Sequence, residues 1–383
     1  MTNFWRSSAL KAGAAAALSA LLLAGCNSGD GSAELQQSRA AYARLDRKTA
    51  EKYAAKAIAC NPKNVDALVM YARIKLDLGQ IAEARKATGK ALALEPDACD
   101  VILTDAEAAY LGKDYAMAML DYRKLAEDDT QPPEIRSQAL AGIGVVQMSV
   151  NEFDIARIAL LKAIRTDRKN PAGWYHLGLL YRDGFGFHEA ALEAFNIYVR
   201  LEQLADTRVQ KVKRSYIPEL NDTIARKAAS RPGVAERNSE KSAKLLAEAE
   251  SLQKQNMLTK ARKKYEEALA ADPLSHKAAW SLGTIIPKLD KTPAGAKKQL
   301  EYYRTACALQ PGSTSTLINT ANLAFRLGFH ATALELYSRA LATDDANLTA
   351  LDGLIKSIKK VGGKAPIAGA YQTYRDELAA KRQ

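Results

Sequence analysis

The chain has 383 residues, of which 48% are hydrophobic and 26% are charged, and its formal net charge is +12. This length accommodates two or three domains. The excess of positive charge favours anionic partners but identifies none. The four histidines are isolated, and neither an H-E-x-x-H nor a Cys-x-x-Cys motif is present, so the common metal-site patterns are excluded.

The first 25 residues have the layout of a secretory signal peptide. Arg6 and Lys11 precede an uncharged segment, residues 12–25. This segment is too short to span a bilayer, because a transmembrane helix needs about 17–25 apolar residues. Small residues then lead to a candidate cleavage point before Cys26, so we predict that residues 1–25 are removed from the mature protein.

The end of this segment, Leu23-Ala24-Gly25-Cys26, resembles the lipobox of bacterial lipoproteins. The resemblance implies acylation of the Cys26 thiol, with palmitate among the chains, and makes residues 26–33 a short tether to a membrane. Stable anchoring needs more than one acyl chain. The next residue is Asn rather than Asp, which implies sorting to the outer membrane, with the protein facing the periplasm. An ordinary signal peptide, in which Cys26 is incidental, is the alternative.

Residues 34–204 are predicted to form a block of paired helices, and the clearest unit spans residues 171–195. Its apolar and small residues recur at helical spacing: Trp174, Leu177, Gly178, Tyr181, Ala190 and Phe195. Glycine and alanine suit a close approach of two antiparallel helices, while the larger side chains form the apolar stripe between them.

The unit recurs about every 34 residues. Pro62 and Pro96 are 34 positions apart, and so are Ala156 and Ala190. Two longer intervals contain extra residues, which we assign to loops at residues 128–134 and 287–295. Further second helices at residues 261–273 and 333–345 predict another block over residues 242–383, ending in a capping helix.

The period, the small residues and the prolines that end second helices together resemble the tetratricopeptide repeat. The resemblance covers about nine tenths of the mature chain, in eight or nine units. It implies an all-α fold, a superhelical solenoid of antiparallel helix pairs. In that family, stacked first helices line a concave groove for peptides or partner domains, so the resemblance implies a scaffold with no cofactor.

The candidate groove residues are those expected on the first helices, on the face turned away from the second helix. In the clearest unit they are Tyr175, Leu179 and Arg182, and in a late unit they are Asn319, Asn322 and Arg326. Amide and guanidinium groups can hold a peptide backbone or a terminal carboxylate. A solvated helix face is the alternative interpretation.

Residues 205–241 separate the two predicted blocks. Residues 206–244 contain ten Lys and Arg against five Asp and Glu. The candidate basic patch consists of Arg208, Lys211, Lys213 and Arg214. Apolar residues recur every three or four positions from Val209 to Ala228, which predicts a degenerate helical pair or a long capping helix, interrupted near Pro218. A flexible linker is the alternative.

Three cysteines remain after Cys26, in what is expected to be an oxidising compartment: Cys60, Cys99 and Cys307. At most one pair can form among three thiols, and the repeat spacing separates all of them. We therefore expect buried free thiols.

Three functions fit these features. The favoured one is a membrane-tethered scaffold for protein or peptide partners in a bacterial envelope assembly or secretion system, as in the tetratricopeptide lipoproteins of type IV and Tad pilus systems. The second is a polyanion binder whose basic segment contacts lipid head groups, polysaccharide or peptidoglycan. The third is an adaptor for cell-wall enzymes. No nucleic acid is expected, and because no nucleophile elbow or phosphate loop is present, no catalytic residue is predicted.

Overall fold

The computed structural model describes residues 30–202, 207–362 and 365–381, and within these ranges all regular structure is helical. The predicted signal peptide and Cys26 lie outside the described residues. None of the described helices is both long enough and apolar enough to cross a membrane. The all-α prediction is confirmed.

The helices up to residue 201 form pairs joined by short turns. They are α1 (Ser32–Ala43), α2 (Arg47–Cys60), α3 (Val65–Asp77), α4 (Ile81–Leu94), α5 (Cys99–Leu111), α6 (Tyr115–Ala126), α7 (Pro133–Ser149), α8 (Phe153–Thr166), α9 (Pro171–Leu179) and α10 (His188–Leu201). A π-helical turn, Leu180–Phe185, separates α9 from α10.

The basic segment is helical over most of its described length. It contains α11 (Thr207–Lys211), a π-helical turn at Val212–Tyr216, and α12 (Ile217–Ala229). The chain leaves regular α-helical structure just before Pro218, which occupies the first turn of α12, where the missing proline N–H costs no hydrogen bond.

The remaining helices again form pairs. They are α13 (Ser239–Lys254), α14 (Leu258–Ala271), α15 (His276–Leu289), α16 (Pro293–Leu309), α17 (Thr314–Arg326), α18 (His330–Thr343), α19 (Leu348–Lys360) and α20 (Ala365–Ala380). Backbone contacts divide the chain into two compact units. Among the described residues, one unit holds those up to Leu180 together with those within Ala194–Lys213, and the other holds Tyr181–Glu193 and those from Arg214 onward. The predicted block boundaries stay a prediction.

Local sequence signals set the ends of the helices. The side chain of Asn64 accepts a hydrogen bond from the backbone N–H of Ala67 at 3.0 Å, and Asn347 does the same for Ala350 at 3.0 Å. These caps satisfy N–H groups that a helix N-terminus otherwise leaves unpaired. The turn after α3 places Gly79 at φ 74°, a left-handed conformation that glycine adopts without strain.

Glycines on first helices receive large side chains from second helices. A Cβ atom at Gly178 of α9 would lie 2.6 Å from the Phe195 ring of α10, and a Cβ at Gly144 of α7 would lie 2.6 Å from Leu160 of α8. Phe195 and Leu160 are fully buried. The predicted close helix contact at Gly178 is therefore present.

The predicted position of the small residue on the second helix of this unit is wrong by one residue. Ala191 is fully buried, whereas Ala190 is only half-buried. The cause is the π-helical turn after α9, which inserts one extra residue before the second helix begins. The 34-residue spacing that predicted Ala190 does not reveal an insertion of one residue.

The predicted loop at residues 287–295 is also largely helical. Pro287 lies inside α15, and α16 begins at Pro293, so the extra residues lengthen the helices and leave a short connection. Asp290 in that connection accepts hydrogen bonds from the backbone N–H of Thr292 at 2.9 Å and from its hydroxyl at 2.6 Å. These bonds lower the pKa of the Asp290 carboxyl.

One charged side chain is buried where two helix pairs meet. Lys75 of α3 is 6% exposed, and its Nζ lies 2.6 Å from Glu51 Oε1 and 2.7 Å from Gln80 Oε1. A buried amine needs such partners, because removing an ion from water costs on the order of several kcal/mol unless opposite charges and hydrogen bonds compensate for the lost hydration.

The cysteines differ in part from expectation. Cys99 and Cys307 are free, as predicted, but only Cys307 is buried, and Cys99 is half-buried. Cys60 is half-buried and disulfide-bonded, so the expectation of a free thiol there is wrong. Burial raises the pKa of the Cys307 thiol, which keeps it protonated and unreactive.

Candidate functional site

Successive first helices pack side by side within each unit. In the unit that begins with α1, helix α3 contacts α1 and α5, and α7 contacts α5 and α9; in the other unit α17 contacts α19. We call the surface that these helices share the first-helix face. It is the surface on which the sequence places its candidate binding residues.

Two ion pairs link neighbouring first helices on this face. Arg39 Nη2 of α1 lies 2.7 Å from Asp66 Oδ2 of α3, and Arg73 Nη2 of α3 lies 3.5 Å from Asp100 Oδ1 of α5. The side chains of Arg39 and Asp66 are 46% and 66% exposed. Exposed pairs of this kind contribute about 0–1 kcal/mol, so a partner can replace them at little cost.

These four residues were missed as candidates, although the sequence contains a signal for them. Arg39 and Arg73 are 34 positions apart, and so are Asp66 and Asp100. The same period that predicts the repeat thus places identical charges at equivalent positions. Only the structure shows that each arginine reaches the aspartate of the next repeat.

The predicted groove residues of the clearest unit are mostly occupied within the fold. The Tyr175 ring lies 5.1 Å from the Tyr198 ring of α10, and the Arg208 guanidinium lies 5.2 Å above the Tyr175 ring. Tyr175 therefore packs against its own second helix, where the sequence predicted the opposite face. Leu179 is half-buried.

Arg182 lies in the π-helical turn and is bound on two sides. Its Nε and Nη2 donate to the Asp183 carboxylate at 2.6 and 2.8 Å, and its guanidinium lies 3.8 Å from the centre of the Tyr216 ring. Stacking on an aromatic face together with a two-point carboxylate contact fixes the side chain. A partner would have to compete with both contacts.

The late unit offers two accessible candidates. Asn319 and Arg326 of α17 are exposed, as a binding role requires. Asn322, by contrast, accepts a hydrogen bond at 2.6 Å from the buried hydroxyl-bearing side chain of Tyr337 on its own second helix. The roles of all six predicted groove residues in binding stay predictions.

The basic patch is partly exposed. Lys211, Lys213 and Arg214 are exposed, whereas Arg208 is half-buried against Tyr175. These three exposed residues lie on α11 and the following π-helical turn.

The histidines do not form a metal site in the part of the chain that the structure describes. His176 of α9 is half-buried, and the loss of hydration around its ring, followed by the charge of Arg208, lowers its pKa well below the usual value, so the imidazole is neutral. Among residues 30–202, 207–362 and 365–381, no group of three or more His, Cys, Asp or Glu side chains is arranged to hold a metal ion.

One carboxyl group has an unusual environment. Asp121 of α6 is half-buried, and its Oδ2 atom has no hydrogen-bond partner among the described residues. Burial, followed by repulsion from Asp105 of α5, raises the Asp121 pKa to about 6. Asp105 is itself buried and accepts a hydrogen bond from the Thr88 hydroxyl.

Comparison with known proteins agrees with this architecture. Residues 53–86 and residues 246–289 each match a tetratricopeptide-repeat sequence profile. The chain is 29% identical over 161 residues to tetratricopeptide repeat protein 8 of Caenorhabditis elegans. This match covers 41% of the chain and 31% of that protein, so the chain spans about a third of its relative's length.

Solved structures with a similar arrangement include PilF of Pseudomonas aeruginosa, at 18% identity and a TM-score of 0.40, covering 53% of this chain and 93% of that one. MamA from Desulfovibrio magneticus has 18% identity and a TM-score of 0.35, with 46% and 98% coverage. Repeats of this type stack helix pairs into extended surfaces that bind proteins. The profile matches and the paired helices show that this chain contains tetratricopeptide repeats, a type of repeat that supports a role as a scaffold for protein–protein interaction.

Proposed function

We propose that the protein is a lipid-anchored scaffold of the bacterial outer membrane that faces the periplasm and binds a protein or peptide of the cell envelope on its first-helix face. The observation that carries this proposal is the repeated arginine–aspartate pair, Arg39 with Asp66 and Arg73 with Asp100. Charged groups at equivalent positions of successive repeats suit an extended partner that presents both donors and acceptors along its length.

The anchor part of the proposal rests on the sequence before the described residues. Cys26 precedes the start of α1 at Ser32 by six residues. A fully extended chain spans at most about 3.6 Å per residue, so this tether reaches ~20 Å. An acylated Cys26 would therefore hold the first helix pair close to the membrane surface, with envelope partners within reach. Pilus or secretion assembly is one case of such a role.

A crosslinking pull-down from membranes tests the scaffold. The full chain is expressed in its host, crosslinked and purified with detergent, and the captured proteins are identified. Arg39→Glu should reduce capture of the partner several-fold, because it reverses one charge on the first-helix face. Lys86→Glu is the matched control, since Lys86 is an exposed cation on the second helix α4. Equal capture by both variants would contradict binding at the first-helix face.

The exposed cations of the basic patch favour a second candidate, the polyanion binder. Replacing Lys211, Lys213 and Arg214 together by glutamine should abolish binding to anionic vesicles or polysaccharide if this candidate is correct, and leave the Arg39-dependent partner in place if the scaffold is correct. Binding through the patch should also weaken strongly with salt, because exposed charges are screened over about 8–10 Å. Capture of a cell-wall hydrolase would instead support the adaptor role.

A further inference from the structure

A cleft of about 420 Å³ opens between two second helices of the unit that contains Arg214 and the residues after it. Its walls come from α16 and α18, and Arg231 reaches it from the connection between α12 and α13. The cleft lies apart from the first-helix face, and no step of the proposed scaffold function uses it. Its lining is unusually rich in arginine: Arg231, Arg304 and Arg339.

The three guanidinium groups are held to different degrees. Arg231 Nη2 donates to the Ala308 carbonyl oxygen at 2.9 Å, which fixes this side chain over the end of α16. Arg339 lies at 4.0 Å from Glu335, the limit for an ion pair, and is 23% exposed. Arg304 is exposed and has no ion-pair or hydrogen-bond partner among the described residues. Each arginine thus keeps donor capacity for a ligand.

Each wall of the cleft carries a glutamate and an arginine about one helical turn apart: Glu301 and Arg304 on α16, and Glu335 and Arg339 on α18. Glu301 and Glu335 are 34 positions apart and occupy equivalent positions of successive repeats. Thr305 and Arg339 are likewise equivalent. Glu335 lies 4.0 Å from Arg339, and Glu301 precedes Arg304 by three residues, so the lining places hydrogen-bond acceptors next to its guanidinium donors.

We propose that this cleft binds an extended peptide segment through an acidic side chain held by Arg231, Arg304 and Arg339. A carboxylate matches the planar, two-point geometry of guanidinium groups. The two glutamates of the lining accept hydrogen bonds, which a peptide supplies from its backbone N–H groups and a phosphate ion without protons does not. Two carboxylates in the lining also repel a doubly charged phosphate more strongly than a single carboxylate.

The thiol in the cleft wall does not offer an alternative chemistry. Cys307 is 1% exposed, and its sulfur lies 3.2 Å from the Thr320 hydroxyl and 3.6 Å from the Thr316 carbonyl of α17. The sulfur therefore faces the first helix of the next repeat, and burial raises its pKa. The cleft is a binding surface, without a reactive group.

Fluorescence anisotropy tests the proposal with the full chain, purified in detergent. The probe is a fluorescein-labelled, C-terminally amidated peptide of alternating glutamate and serine, and the comparison probe carries glutamine in place of glutamate. We expect the glutamate peptide to bind at least tenfold more tightly. Arg304→Gln and Arg339→Gln should each weaken binding about tenfold, as loss of one charge-assisted hydrogen bond implies.

Controls separate the cleft from general surface charge. Lys297→Gln removes an exposed cation from α16 outside the cleft lining and should change affinity less than twofold. Helical circular dichroism of every variant should match that of the parent, because Arg304 is exposed. Equal binding of the two peptides, or an equal loss in Lys297→Gln, would overturn the proposal. Displacement of the glutamate peptide by inorganic phosphate at equal concentration would also overturn it, and would indicate a free-oxyanion site.

Discussion

The contact between Gly178 and Phe195 provides a sharp test of how the repeats pack. In Gly178→Ala, the new Cβ atom would lie 2.6 Å from one carbon of the Phe195 ring, 2.7 Å from a second and 3.0 Å from a third. Carbon atoms in contact prefer about 3.5–4.0 Å, so the ring would have to move by roughly 1 Å. Phe195 is fully buried, and its ring packs 6.2 Å from the Tyr175 ring, which leaves it little room.

The expected magnitude follows from two opposing effects. Overpacking a buried contact costs about 1–3 kcal/mol. Alanine favours a helix over glycine by up to about 1 kcal/mol, which offsets part of that cost. Gly178→Ala should therefore lower the free energy of unfolding of this helix pair by ~1–2 kcal/mol. Gly89→Ala is the matched control in α4, where a Cβ atom meets nothing within 4 Å, and it should stabilise by ~0.5–1 kcal/mol.

Urea unfolding followed by circular dichroism measures both variants, and hydrogen exchange of peptides from α9 and α10 localises the effect, because repeat arrays need not unfold in one step. A double variant provides the decisive comparison. In a Phe195→Leu background the ring is absent, so Gly178→Ala should become neutral or stabilising. If Gly178→Ala is as stable as the parent protein, or costs the same with and without the ring, the packing argument is refuted.

Cys26→Ser should leave an uncleaved or soluble precursor whose helical circular dichroism is unchanged; a variant that stays membrane-bound at the size of the mature protein would contradict lipid anchoring. A Cys26 whose sulfur is acylated cannot form a disulfide with Cys60, so mass spectrometry of the mature protein should show acyl chains on Cys26, and a disulfide between Cys26 and Cys60 would contradict the lipid anchor. Asp121→Asn should be more stable than the parent at pH 7, and its stability should depend less on pH. Burial, followed by repulsion from Asp105, raises the Asp121 pKa to about 6, so the carboxyl stabilises the fold below about pH 4 and this contribution is lost as the pH rises to 6. Parallel stability curves for the two proteins between pH 4 and 7 would contradict the raised pKa. Glu51→Ala should destabilise the protein by ~1–3 kcal/mol, because it removes the charge partner of the buried Lys75 amine. Lys75→Met should change the stability little, because it removes the buried charge itself. Thermal unfolding of the two variants measures the difference.

Helical periodicity in the sequence predicted the exposure of only some candidate groove residues. It located Arg326 and Asn319 on an exposed helix surface, since an exposed position needs only the correct helical face. It misplaced Asn322 and Tyr175, whose polar or aromatic ends contact the second helix of their own repeat. A side chain at the border between two faces can turn either way, and its neighbours in space decide which.

The sequence by itself determined the fold class, the pairing of helices and the glycine at position 178, because each depends on residues close together in the chain: helical spacing, turn residues and small side chains at a fixed period. The tertiary structure decided what depends on neighbours from other repeats. It placed Arg39 against Asp66, closed the arginine-lined cleft between α16 and α18, and shifted the second helix after the π-helical turn by one residue. Such contacts join residues tens of positions apart, and their geometry follows from how whole helices pack, which no local pattern contains.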